Sequence, residues 1–223
     1  MLLKGLDEIA FGVFNSMDDE TVKSVYLMNN QTGGPTQFQV QNTSPTVTQV
    51  YAGDALFRVS GKGNGQITST IAIEDIPAET LHALLGYEKD KDSGLWVVGK
   101  DTALVAGCVY ARSHDANDQK AWIGLLKGVF TRGDINPQTN QAQETDATDS
   151  LTFTAMNRAA DGYAYFEGLE SENVTEESVQ KFVFPNFTGK VNDGIETSGA
   201  NNAPGSGATG SGAASSAAAS SAS

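Results

Sequence analysis

Leu104-Val-Ala-Gly-Cys-Val-Tyr-Ala-Arg112, Ser113-His-Asp-Ala-Asn-Asp-Gln119 and Ala121-Trp-Ile-Gly-Leu-Leu-Lys-Gly-Val-Phe-Thr131 decide the fold. Two long runs of β-branched, aromatic and small apolar residues flank a short polar loop. That is a β-hairpin pattern. Outward from it the same period of two recurs. Ile9, Phe11 and Val13 alternate with Glu8, Ala10 and Gly12 and read as a half-buried strand. Residues 55–60 and 66–73 flank Gly61-Lys-Gly-Asn-Gly65, whose glycines can take positive φ, so a second hairpin is expected there. Residues 95–98 read as a shorter strand. Residues 151–155 and 162–167 read as a third pair across Asn157-Arg-Ala-Ala-Asp161.

Two short helices interrupt the strands. Asp75-Ile-Pro-Ala-Glu-Thr-Leu-His-Ala-Leu-Leu-Gly86 has a capping Asp, an early Pro and Glu, and a terminal Gly. Leu81, Leu84 and Leu85 form its apolar stripe. Residues 174–183 make the second helix, with Thr175 as N-cap and Glu176 and Glu177 at the positive end of its dipole. Three stretches fit neither period. Residues 29–49 are rich in Gln, Asn, Thr and Gly, too polar for a core, and are expected to project as an arm or long hairpin. Residues 133–150 form an acidic polar loop. Residues 197–223 are Gly/Ser/Ala-rich, carry no charge, and are expected to be a disordered appendage to a single β domain over residues 1–196.

The 223 residues carry 27 acids against 14 bases, a formal charge of −13, all of it within residues 1–196. Wrapping nucleic acid needs a basic face, so that class is excluded. A single cysteine, Cys108, cannot form an internal disulfide. No stretch reaches the roughly 18–20 apolar residues that cross a bilayer. The N-terminus turns acidic too early for a signal peptide, so a cytoplasmically made protein is expected.

No constellation for catalysis or cofactor binding stands out. Cys108 sits in an apolar strand and His114 in the following loop, too far along an extended chain for a nucleophile and its base. His82 has only Glu79 at helical spacing, short of a metal site. The acid pairs Asp18-Asp19, Glu74-Asp75 and Glu176-Glu177, and Glu170 with Glu172, lie in loops or at helix starts, where solvation explains them. The 61–65 glycines join two strands, whereas a phosphate loop opens a helix. Trp96, Trp122, Tyr110 and Phe130 read as core or interface aromatics. No catalytic, cofactor or metal residue is therefore assigned, and a non-enzyme is expected.

The order of elements is informative. A Gly5-Leu-Asp-Glu-Ile-Ala-Phe11 strand and a polar arm precede Ile71-Ala-Ile-Glu-Asp-Ile-Pro77 and its Leu-rich helix. Leu125-Leu-Lys-Gly-Val-Phe130, an acidic loop and Leu151-Thr-Phe153 follow. Over residues 5–170 this resembles the major tail (tail tube) proteins of long-tailed, siphovirus-type bacteriophages, in particular those of Gram-positive hosts. Some relatives carry a further immunoglobulin-like domain, which is not expected here. The resemblance implies a mainly β fold, a β-sandwich or small barrel with one or two flanking helices. It implies rings, typically hexameric, stacked into a tube through which DNA passes without specific binding. The implied partners are further copies of the chain and the terminator, distal tail and tape measure proteins, with no membrane partner. The implied location is the virion tail, after assembly in the host cytoplasm. On this reading Phe38, Val40, Val47 and Val50 are arm residues buried only between subunits. The competing reading is a β-sandwich adhesin or carbohydrate-binding surface module.

Overall fold

A computed structural model describes residues 3–45, 47–52, 54–61, 63–135 and 148–189. In chain order the strands are β1 Leu3–Phe14, β2 Val22–Asn29, β3 Pro35–Gln41, β4 Thr48–Ala52, β5 Ala55–Ser60 and β6 Thr68–Ile73. Helix α1, Ala78–Leu85, precedes β7 Glu88–Lys89, β8 Trp96–Val97, β9 Ala106–Asp115 and β10 Lys120–Arg132. Then come β11 Asp149–Ala155, β12 Tyr165–Leu169 and α2 Glu176–Val183.

The β9–β10 hairpin forms as its sequence predicts, with Leu125 opposite Val109. It lies at the centre of an antiparallel sheet in the order β2-β1-β9-β10-β11-β6-β3, and β12 also pairs with β10. The sheet curls until β3 lies against β1. Its inner face encloses one core, built on Phe11, Ile71, Leu125, Leu151 and Phe153 and filled from α1 by Leu81, Leu84 and Leu85. Its outer face carries a second core, in which Ala10, Tyr110, Trp122 and Leu126 are covered by Val179, Val183 and Phe184 of α2 and its C-cap.

β1 is therefore not the half-buried strand its alternation suggests. Residues 8–14 are buried on both faces, because α2 covers the side that holds Ala10 and Gly12. A Cβ on Gly12 would stand 2.6 Å from Cys108 Sγ and 2.8 Å from the Phe184 ring. The missing side chain is what lets α2 approach so closely.

Two expected pairings are replaced. β5 does not pair with β6 across the 61–65 glycines. β5 pairs with β4, and β6 runs between β11 and β3. The reason is burial. β6 puts Ser69, Ile71 and Ile73 on the inner face beside Leu151 and Phe153, whereas Leu56, Phe57 and Val59 of β5 stay exposed. Likewise β11 and β12 do not form a hairpin. Both run antiparallel to β10, end to end: β11 along Gly128–Arg132 and β12 along Ala121–Leu125. The ladder breaks at Leu126–Lys127, and the chain leaves and rejoins the same line there. Met156 N–H donates to the Lys127 carbonyl (2.8 Å), and Leu126 N–H donates to the Ala164 carbonyl (3.0 Å).

The helices begin and end for local reasons. α2 has the expected cap: Ser178 N–H donates to Thr175 Oγ1 (3.3 Å) and Thr175 N–H donates to Ser178 Oγ (2.8 Å). α1 starts later than its Asp75 suggests. Pro77 holds the cap position without a side-chain bond, and the Asp75 N–H is taken by the Gly33 carbonyl at 3.0 Å. Its stop is as expected, with Gly86 at φ 72°.

The stretch 29–49, expected as one projecting arm, divides. Residues 35–41 are β3, an edge strand of the main sheet, because Phe38 and Val40 pack on the inner core. From Thr48 on, the chain enters the separate β4–β5 hairpin. The acidic loop falls partly, through residues 136–147, and the 197–223 segment wholly, outside the described residues.

Gly128 sits where β10 changes partners, and a Cβ there would collide with the Thr154 carbonyl and the Phe153 ring. Gly128→Ala is expected to cost about 1–3 kcal/mol. Calorimetry should show a several-degree fall in Tm; an unchanged Tm would mean the strand junction has slack it does not show.

Candidate assembly surface

None of the residues considered for chemistry converges on a site. Cys108 is fully buried beneath α2, its Sγ 3.4 Å from the Val183 carbonyl, and burial pushes its thiol far above the ordinary range. His114 lies six residues further along β9, roughly 20 Å at strand spacing, and its ring faces Asp7 at 3.2 Å. No cluster of three or more metal-ligating side chains exists among the described residues. Asp19 accepts from Asn15 Nδ2 (2.9 Å) and Thr21 N–H (3.0 Å), which lowers its pKa and closes a turn. Trp122, Tyr110 and Phe130 are core residues.

The charged residues that do converge serve the fold. Glu8, 5% exposed, meets Arg112 Nη2 at 2.9 Å. Arg112 Nη1 reaches Glu176 at 3.2 Å, and Lys120 Nζ reaches the same carboxylate at 2.9 Å. Burial raises the pKa of Glu8 despite Arg112. The Lys120 hydrogen bond, with Arg112 beside it, lowers that of Glu176. This network fastens the first turn of α2 to β1, β9 and β10. A second tie holds the 156–164 excursion. Arg158 pairs with Asp161, donates to the Phe182 carbonyl (2.7 Å) and stacks over the Phe182 ring at 4.8 Å. Glu20 accepts from Ala159 N–H (2.7 Å) and Lys127 Nζ (2.9 Å).

The feature left unsatisfied is apolar. β4 and β5 pair with each other and with no other strand among the described residues. Val50, Tyr51, Leu56 and Val59 are exposed, and Phe57, 75% exposed, is the extra residue of a bulge opposite Val50–Tyr51. An isolated two-stranded ribbon is marginal in water, and exposed apolar side chains at this density mark a contact surface. Its base is fixed: Asn64 Nδ2 donates to Asn157 Oδ1 (2.7 Å), and Gly65 lies against the Asn42 carbonyl. Of the four residues singled out from sequence, Val47 and Val50 stand exposed at this hairpin, while Phe38 and Val40 are half-buried on the inner core of a single chain. The sequence reading has β5, with Phe57 in it, as a strand but pairs it with residues 66–73 instead of with β4. A signal for that partner lies in the sequence, where Gly53-Asp54 between two β-type runs is a dipeptide favoured in two-residue hairpin turns.

A second exposed apolar face follows α1, at Leu95, Val97, Val98 and Leu104. Trp96 mounts it on the helix by stacking on His82 (centroids 4.4 Å, 16° between planes), with Lys89 Nζ 5.5 Å from the indole.

Burial, with Arg132 nearby, holds the His82 pKa below its ordinary 6.5, against a contribution from Ala78 that raises it. The unfolded chain therefore takes up this proton first. The corner is fully stable above about pH 6.5 and loses stability as pH falls through the folded value. Trp96 emission should change between pH 7 and 5, and His82→Phe should flatten that change. An identical pH response in the variant would assign it elsewhere.

Residues 2–193 match the family model described as phage tail tube protein. No curated protein matches the chain.

Proposed function

The chain belongs to the phage tail tube protein family, and on that footing we propose that its copies close into hexameric rings, stacked into the conduit through which the genome leaves the virion. The family makes it a structural tail protein that self-associates and joins other tail components. The finer reading, of a siphovirus-type tail with terminator, distal tail and tape measure proteins as neighbours and assembly in the cytoplasm of a Gram-positive host, is part of the proposal. So is the absence of catalysis.

The observation that carries the reading is the β4–β5 hairpin. A monomer has no use for a ribbon that exposes Phe57, Tyr51 and Leu56 to water, and strand addition or apolar docking on a neighbour removes that cost. Charge supports it as well. A surface of −13 repels a polyanion, so DNA can slide past the wall without adhering. The acids are accordingly denser on the inner wall of the ring than on its outside.

Electron microscopy of the purified protein should show rings or tubes; a strict monomer at high concentration in several salts would overturn the reading. Replacing residues 48–60 by a short Gly-Ser link should abolish tubes and leave the circular dichroism of the sheet intact, because no core residue lies in that segment. Unchanged tubes would remove the hairpin from the assembly. Screening of like-charged copies shortens from about 30 Å at 0.01 M salt to about 8 Å at 0.15 M. Assembly followed by light scattering should therefore quicken as salt is raised, and slowing would refute apolar docking between acidic copies.

A further inference from the structure

We propose that the apolar face of residues 95–104 is the receptor for the β4–β5 hairpin of a second copy of this chain. This rests on the self-assembly reading above and names the surface that the hairpin meets.

Charge selects the pair first. The chain carries −13, so most of its surface repels another copy. Residues 47–60 hold only Asp54 and Arg58, and residues 95–104 hold only Lys100 and Asp101. Both segments are neutral, with one acid and one base each, so they can meet without like-charge repulsion and with opposite charges available at the rim.

Preorganisation is the second ground. Leu95, Val97, Val98 and Leu104 are 46–66% exposed, yet their backbone is held. Asp90 closes a turn on Ser93 (2.9 Å), Thr102 Oγ1 accepts from Gly99 N–H (2.9 Å), and the His82–Trp96 stack pins the middle to α1. A Cβ on Gly86 would stand 2.6 Å from the Ala103 carbonyl, so the segment is drawn down onto the helix end. A surface already ordered loses little entropy on binding.

Symmetry is the third. Hairpin against hairpin is a twofold contact; it closes a dimer and leaves residues 95–104 bare. Hairpin against a different face is heterologous, and such contacts repeat around a ring or along a tube.

The test uses full-length chains with Phe57→Cys in one and Val98→Cys in the other, and a short bis-maleimide. Native Cys108 is buried and stays silent. In assembled material, cross-linked dimers are expected from the mixture and not from either variant alone. Dimers from Phe57→Cys alone at equal yield, or assembled mixtures without dimers, overturn the pairing while leaving self-assembly standing. Val98→Asp should lower assembly at least tenfold with unchanged Tm; assembly at the parental level overturns the proposal. A parental chain that stays monomeric throughout overturns the self-assembly reading and this one with it.

Discussion

The sheet depends on one strand keeping two partners along one edge. β10 pairs with β9 on one side; on the other it hands over from β12 to β11 at Leu126–Lys127. Up to that point the sheet is close enough to α2 to need covering. Beyond it the sheet turns through β11, β6 and β3 to enclose the inner core. A continuous pairing could not serve both walls, because the right-handed twist would carry one partner off the core it must cover. Gly128 and Gly124 reflect this crowding, since side chains there would run into Thr154 and Phe166.

The buried charges follow from the same geometry. Strands buried on both faces take with them the polar residues along their length. Glu8 of β1 is such a residue, and Arg112 of β9 pairs with it because leaving its charge unpaired would cost several kcal/mol, about 3–5 by comparison with broken buried pairs. Lys127 and Glu20 do the same at the strand junction. These pairs are consequences of the architecture.

Sequence reading was most reliable where local chemistry was sufficient. The β9–β10 hairpin, the Thr175 cap, the Gly86 stop and the Leu81/Leu84/Leu85 stripe all follow from residues within a few positions of one another. It was weaker where distant burial chose the partner. β5 and β6 look like a hairpin, but Ile71 and Ile73 are drawn to the inner core while Phe57 is not. β2 shows no clear period of two: Val22 and Val25 face the outer core across a register shift opposite Phe14, while Met28 faces the inner one. The assembly surface was half legible. Val47 and Val50 point to it, but Leu56 and Phe57 read as part of a hairpin with residues 66–73, and Tyr51 carries no signal of its own. Exposure of an apolar residue is a property of the folded chain, which no local pattern reports.

Cys108 lies under α2 with Gly12 on one side and the Val183 carbonyl on the other. Nothing dissolved in water can touch that sulfur until the helix lifts. Its alkylation rate is therefore a direct gauge of how often α2 detaches from the sheet, and where reclosing is fast it reads the free energy of that local opening rather than of global unfolding. The single thiol makes the protein its own stopwatch for the motion of one helix.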